Sequence, residues 1–100
     1  MMLLNQGHLE ECFNTAKTQN APFVAIAVVM EGFPEREVIV NRKANIDSKL
    51  AYYKKTYGED LVHKHNKGIR IVGFTYGNSL DEVEEDLFGK TLLGGADNVR

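Results

Sequence analysis

The residue types best suited to binding chemistry lie in the middle and second half of the chain: Tyr52, Tyr53, Tyr57, Phe74 and Tyr76, beside Arg42, Lys43, Lys54, Lys55 and Arg70. Aromatic rings stack on nucleobases, while guanidinium and ammonium groups meet phosphates. A basic, aromatic-lined groove built from these residues would hold a nucleotide-like ligand, and Arg42, Lys43, Tyr52, Arg70 and Tyr76 are the candidate ligand-binding residues. A structural reading competes with this one. Aromatics at helical spacing are usually packing, so Tyr53, Tyr57 and Phe74 also read as core, with Tyr52, Arg42 and Lys55 as solvated surface.

Catalytic and metal chemistry find less support. His8 and Cys12 stand four apart on a predicted helix, and His63 and His65 share a face if their segment is extended. Each pair offers two ligands where a structural zinc takes four, and no companion cluster follows, so no metal is expected. Cys12 falls on the apolar side of its helix, where a thiol is normally inert; a reactive one needs an accessible, electropositive setting. Gly89-Lys90-Thr91 resembles the end of a phosphate-binding loop, but Glu84 occupies the position where that loop requires glycine. With no Ser-His-Asp pattern, no paired-carboxylate motif and no Gly-rich fingerprint, the chain is expected to bind without catalysis and without a cofactor.

A second binding chemistry comes from the acidic run Asp81, Glu82, Glu84, Glu85 and Asp86. On a helix these carboxylates would imitate nucleic-acid phosphates and inhibit a basic protein partner in a salt-sensitive way. A third reading is weak nucleic-acid binding through residues 36–70, which hold nine basic residues against four acidic ones. The formal net charge of −2 opposes that reading. Gly77-Asn78-Ser79 precedes the acidic run, and the free N–H groups of a helix start there could hold an anion. The neighbouring carboxylates compete for them, which favours ordinary capping by Asn78 or Ser79.

The elements that position these groups follow from periodicity. Leu4, Leu9, Cys12, Phe13 and Ala16 draw an imperfect amphipathic helix over residues 3–18, ended by Gln19-Asn20-Ala21-Pro22. Phe23 to Met30 is an unbroken apolar run rich in β-branched types, which predicts a central strand covered on both faces. Gly32-Phe33-Pro34 turns the chain into a second strand over residues 36–41, paired with the first as a hairpin. Asn45 or Asp47 caps the next helix, whose stripe is Ile46, Leu50, Tyr53 and Tyr57, and Gly58 stops it. Residues 61–65 read either as a short strand or as a loose connection. Ile69 to Tyr76 is a further strand, placed beyond the central one by the crossover through the tyrosine-bearing helix. A last helix runs to about Phe88 and buries Leu80, Val83, Leu87 and Phe88.

The expected fold is α+β: a small three- to four-stranded, mostly antiparallel sheet with helices packed on it. Residues 1–88 form one domain, and residues 89–100, with their Gly-Gly pair, are expected to be a flexible tail. Hydrophobic content of 43% and charged content of 26% suit a folded domain with one modest core. Cys12 is the only cysteine, which excludes an intrachain disulfide and fits a reducing compartment. Residues 1–6 lack the basic region and apolar run of a signal peptide, and no segment approaches the roughly 20 apolar residues of a membrane span. The expected location is the cytoplasm, with no membrane partner.

The runs Lys49-Leu50-Ala51-Tyr52-Tyr53-Lys54-Lys55-Thr56-Tyr57-Gly58-Glu59-Asp60-Leu61 and Ile69-Arg70-Ile71-Val72-Gly73-Phe74-Thr75-Tyr76-Gly77 resemble small accessory proteins of phages and prophages of Gram-positive bacteria. The resemblance implies a non-enzymatic, oligomeric binder, of a kind that in some cases inhibits host defence by capturing a nuclease complex, a defence protein or a nucleotide second messenger. If phage-encoded, the chain would act in the host cell cytoplasm. Open edges on so small a sheet favour self-association, so the concrete expectation is a homodimer that sequesters a nucleotide-like ligand or a host defence protein.

Overall fold

The computed structural model describes residues 4–88 of the 100-residue chain, so the expected tail at 89–100 lies outside the described residues. The elements in chain order are α1 (Gln6–Thr18), β1 (Phe23–Met30), β2 (Glu37–Arg42), a single 3-10 turn (Lys43–Asn45), α2 (Ile46–Thr56), β3 (Ile69–Gly77) and α3 (Leu80–Phe88). The fold is α+β, as its sequence pattern predicts: one three-stranded antiparallel sheet in the order β2-β1-β3, with helices against it.

β1 is the central strand because its apolar run has no polar face to give to water. Val24, Ile26 and Val28 join Leu9, Phe13 and Ala16 of α1 and Ile46 and Tyr53 of α2 in the main core. On the other face Ala25 and Ala27 pack under Val83 and Leu87 of α3. Alanines on this face let α3 approach closely. The register sets Val24 opposite Asn41 and Tyr76, Ile26 opposite Ile39 and Phe74, and Phe23 opposite Arg42 and Gly77. A bulge in the β1–β3 pairing falls between Ala27 and Val28, and it lets Phe74 and Ile71 both keep the main-core face.

The helix stripes follow the sequence with two departures. Ile46, Tyr53 and Tyr57 are buried as expected, with Leu50 partly so. Asn45 precedes α2, but no side chain caps it; the 3-10 turn that leads in occupies that position instead. Leu80, expected inside, is 47% exposed. It stands one turn ahead of Val83, where α3 has only just left the end of β3, so Val83 and Leu87 reach the sheet and Leu80 does not; the expected burial of Phe88 lies outside the described side chains.

Residues 61–65 realise neither extreme of their sequence reading. Two isolated bridges, Tyr57 to His63 and Val62 to Arg70, replace a fourth strand. Leu61 sits there with φ 67. That left-handed backbone costs about 1–2 kcal/mol in an L-residue. Leu61 is 1% exposed in the main core, and full burial of a leucine contributes about 1.5–3 kcal/mol, enough to hold the turn.

Candidate functional site

α1 begins with a reciprocal cap. Asn5 Oδ1 accepts from the His8 backbone N–H at 3.0 Å, and His8 Nδ1 accepts from the Asn5 N–H at 3.2 Å. This fixes the first turn and aligns His8, Glu11, Cys12 and Thr15 along one side of the helix, with Leu4 just ahead of the cap. That side faces Phe74, Thr75 and Tyr76 of β3 across an open groove of about 510 Å³. The groove floor is apolar, from Leu4, Cys12, Phe74 and Tyr76, and its rim is polar, from His8, Glu11 and Thr15.

One wall of the groove is a strand edge. In an antiparallel ladder, alternate residues turn both backbone groups to one neighbour. The bond from Lys43 N–H to the Pro22 carbonyl at 2.9 Å and that from Glu31 N–H to the Gly68 carbonyl at 2.7 Å assign even-numbered residues of β1 to β2 and odd-numbered ones to β3. Gly73, Thr75 and Gly77 therefore pair with β1, and Phe74 and Tyr76 turn their backbone groups outward. Lower on the same edge, the outward groups of Ile69 and Ile71 are occupied: His63 N–H donates to Ile69 O at 2.9 Å, and Ile71 N–H donates to Leu61 O at 3.0 Å. Among the described residues no backbone group pairs with Phe74 or Tyr76 in this way; the Tyr76 carbonyl meets only the Thr75 hydroxyl, at a long 3.5 Å.

The other side of that edge is acidic. Ser79 Oγ accepts from Glu82 N–H at 3.1 Å and caps α3, while Glu82 Oε1 accepts from Asn78 N–H at 2.8 Å. Thr75 Oγ1 donates to Asp86 Oδ2 at 3.2 Å. Glu82 thus lies at the level of Gly77, and Asp86 at the level of Thr75. Both carboxylates stay exposed, and among the described residues neither forms an ion pair.

The five residues singled out from sequence are dispersed. Arg42, at the end of β2, is exposed on the α3 face, and Lys43 follows it with Nζ donating to Asn20 Oδ1. Arg70 lies opposite Val29 near the other end of β1, whereas Arg42 lies opposite Phe23. Six residues of extended strand put them about 20 Å apart, at ~3.3 Å per residue. Tyr52 is 54% exposed on α2, edge-on to Tyr53 and with Lys49 Nζ 5.6 Å from its ring centroid. Tyr76 is on the α1 face, half-buried in the groove wall. One copy of the chain brings none of these residues into a shared cleft with another. The groove was hidden from sequence reasoning because α1 and β3 are some 60 residues apart; the local signal was the apolar stripe that includes Leu4 and Cys12.

No protein-family model, no curated protein and no solved structure matches this chain. Its chemistry therefore rests on the geometry. Cys12 lines the groove, but burial pushes its thiol up to about 11, which keeps it protonated and weakly nucleophilic. His8 Nδ1 is taken by the cap, and His63 Nδ1 accepts from His65 N–H at 3.1 Å. Among the described residues no group of three or more His, Cys, Asp or Glu side chains could hold a metal ion. No described helix is long and apolar enough to cross a membrane.

Proposed function

We propose that this chain is a non-enzymatic binding protein that accepts an extended segment of a partner polypeptide along the free edge of β3. The observation that carries the reading is the pair of outward backbone groups at Phe74 and Tyr76, set in the wall of an apolar-floored groove. A strand added there gains main-chain hydrogen bonds from the edge and side-chain contacts from the groove, which is how strand addition combines affinity with selectivity. The half-buried Phe74 and Tyr76 rings supply the apolar contacts. The reading is compatible with the accessory binders that the sequence resembles, and with them we propose a host protein in the cytoplasm as the partner.

Capture of a nucleotide-like ligand is the less supported alternative. It would need Arg42, Lys43, Tyr52, Arg70 and Tyr76 from both faces and both ends of the sheet, and hence more than one copy of the chain.

The test is a titration of the ¹⁵N-labelled full chain with a ten-residue peptide alternating valine with threonine, followed by amide NMR. Slowed exchange and shifts at Phe74 and Tyr76 are expected. Shifts confined to Arg42, Lys43 and Tyr52, or none at all, would rule the edge out.

A further inference from the structure

We infer that the segment taken up by the β3 edge belongs to a different protein and alternates apolar with basic residues, its lysines or arginines read by Glu82 and Asp86. This deepens the strand-acceptor reading and rests on it.

The two faces of the edge ask for different side chains. A strand laid beside β3 sends alternate side chains to opposite faces of the extended sheet. Those on the α1 face enter the groove between Leu4, Cys12, Phe74 and Tyr76, and must be apolar to bury there. Those on the α3 face pass beside the Glu82 and Asp86 carboxylates at Gly77 and Thr75.

The spacing of these carboxylates fits a strand. Four residues of helix rise about 6 Å, at ~1.5 Å each. Two residues of strand advance about 6.8 Å, at ~3.4 Å each. Glu82 and Asp86 are four apart on α3, so they match same-face residues two apart on an incoming strand. Each spends one lone pair within the protein, on Asn78 N–H and on Thr75 Oγ1–H, and a carboxylate has about four acceptor sites, so each keeps capacity for a cation. The internal bonds also hold both carboxylates in place, which lowers the entropy lost on pairing.

A second copy does not fit. Two β3 edges related by a twofold axis near Thr75 would set Glu82 and Asp86 of each copy against those of the other, and like charges so placed repel. Nor does another strand of this chain carry the pattern. β1 has no basic residue, β2 has only Arg42 and β3 has only Arg70, so none presents cations two residues apart.

The test is fluorescence anisotropy of the full-length protein with three labelled ten-residue peptides that alternate valine with lysine, with glutamate or with threonine. Amide exchange is followed by NMR, and self-association by sedimentation velocity. The valine–lysine peptide is expected to bind about tenfold tighter than the valine–threonine one, since two exposed ion pairs each contribute a few-fold. The glutamate peptide should bind more weakly still. The lysine preference should shrink with added salt and disappear in E82Q/D86N, which keeps both internal acceptors and so the fold. Exchange at Phe74 and Tyr76 should slow in the complex. Equal binding of all three peptides, with those amides protected, would overturn the charge selection and leave the strand-acceptor reading standing. Absence of binding and of protection would overturn both. A dimer whose dissociation uncovers the Phe74 and Tyr76 amides would overturn the foreign partner in favour of a second copy.

Discussion

The side-chain amide of Asn41 donates to the hydroxyl of Tyr53 at 3.2 Å, and the two groups are 4% and 3% exposed. The bond ties β2 to α2 inside the main core. It also explains why Asn41 is tolerated at a position that the strand alternation gives to the interior: its amide has a partner there. Tyr53→Phe deletes the partner and leaves a buried donor unmet, at a cost of about 1–3 kcal/mol. Urea unfolding should show that loss. Asn41→Leu in the Tyr53→Phe background should recover part of it, because the buried polar group is then gone. An unchanged midpoint for Tyr53→Phe would mean the bond contributes nothing.

Gln6 joins the two helices of the main core. Its Nε2 donates to the Tyr57 carbonyl at 2.8 Å and reaches that of Lys54 at 3.2 Å, while its backbone N–H donates to Glu59 O at 3.0 Å. These bonds satisfy carbonyls that the C-terminus of α2 would otherwise leave bare. Gln6→Ala is expected to cost about 1 kcal/mol in urea unfolding. Gln6→Glu should cost more at neutral pH, since a carboxylate cannot donate and would face the negative end of the α2 dipole. Equal stability of the Ala and Glu variants would contradict this account.

Alkaline pH should destabilise the fold. Burial raises Cys12 from its ordinary 9.0 to about 11, and burial also raises Tyr53 and Tyr57 above their ordinary 10.0. Each group holds its proton more tightly when folded, so the unfolded chain releases protons first and stability falls with rising pH. The stabilisation is complete below pH 9, where all three are neutral in both states, and is lost progressively as pH climbs through the raised values. Denaturation midpoints at pH 7, 9 and 10.5 check this. Cys12→Ala should flatten the lower part of the decline. Thiol labelling of Cys12 at pH 8 should also run well below the rate of free cysteine.

Arg42 and Arg70 should act independently. They are exposed and stand toward opposite ends of β1, about 20 Å apart at ~3.3 Å per residue. In a double-mutant cycle with alanine, read as stability in urea unfolding, their coupling should vanish within about 0.3–0.5 kcal/mol. A coupling well above that would mean a second copy brings the two ends together, and would revive the nucleotide-capture reading.

Much of the fold was legible because its signals are local. Eight consecutive apolar residues rich in β-branched types read as a doubly covered strand, and the steps from Ile46 to Tyr57 draw one helical stripe. The paired reading of β1 with β2, and β3 on the far side of β1, followed from turn residues and the crossover through the tyrosine-bearing helix. What sequence could not supply is the juxtaposition of distant elements. Asn5 and His8 cap each other through an imidazole in place of the usual Glu or Gln, so the signature was absent. The acidic run was visible as charge, but not that Glu82 and Asp86 turn toward the β3 edge. That depends on α3 lying close over Gly77 and Gly73, positions that read as interruptions of a strand until the helix is placed on them.

That close approach gives the sharpest test of the site's geometry. A Cβ built on Gly77 would stand 3.0 Å from Glu82 Cδ and 3.0 Å from Val83 Cγ1. Glu82 is exposed and could swing away, but Val83 is fully buried against the sheet and has nowhere to go. Gly77→Ala must therefore push the start of α3 outward, at an overpacking cost of about 1–3 kcal/mol. The shift would break the bond from Asn78 N–H to Glu82 and carry both carboxylates away from the edge of β3. Amide exchange in α3 should quicken, and lysine-dependent peptide binding should fall even where the protein remains folded. Gly73→Ala provides the internal comparison. Its Cβ would meet Leu87 Cδ2 at 3.3 Å, the flexible end of a side chain that can yield by a few tenths of an ångström, and Ala27 Cβ at an ordinary 3.9 Å. It should leave both exchange and binding nearly unchanged. Equal effects of the two substitutions would mean that α3 is not held over Gly77 as described, and that Glu82 is not fixed beside the strand edge.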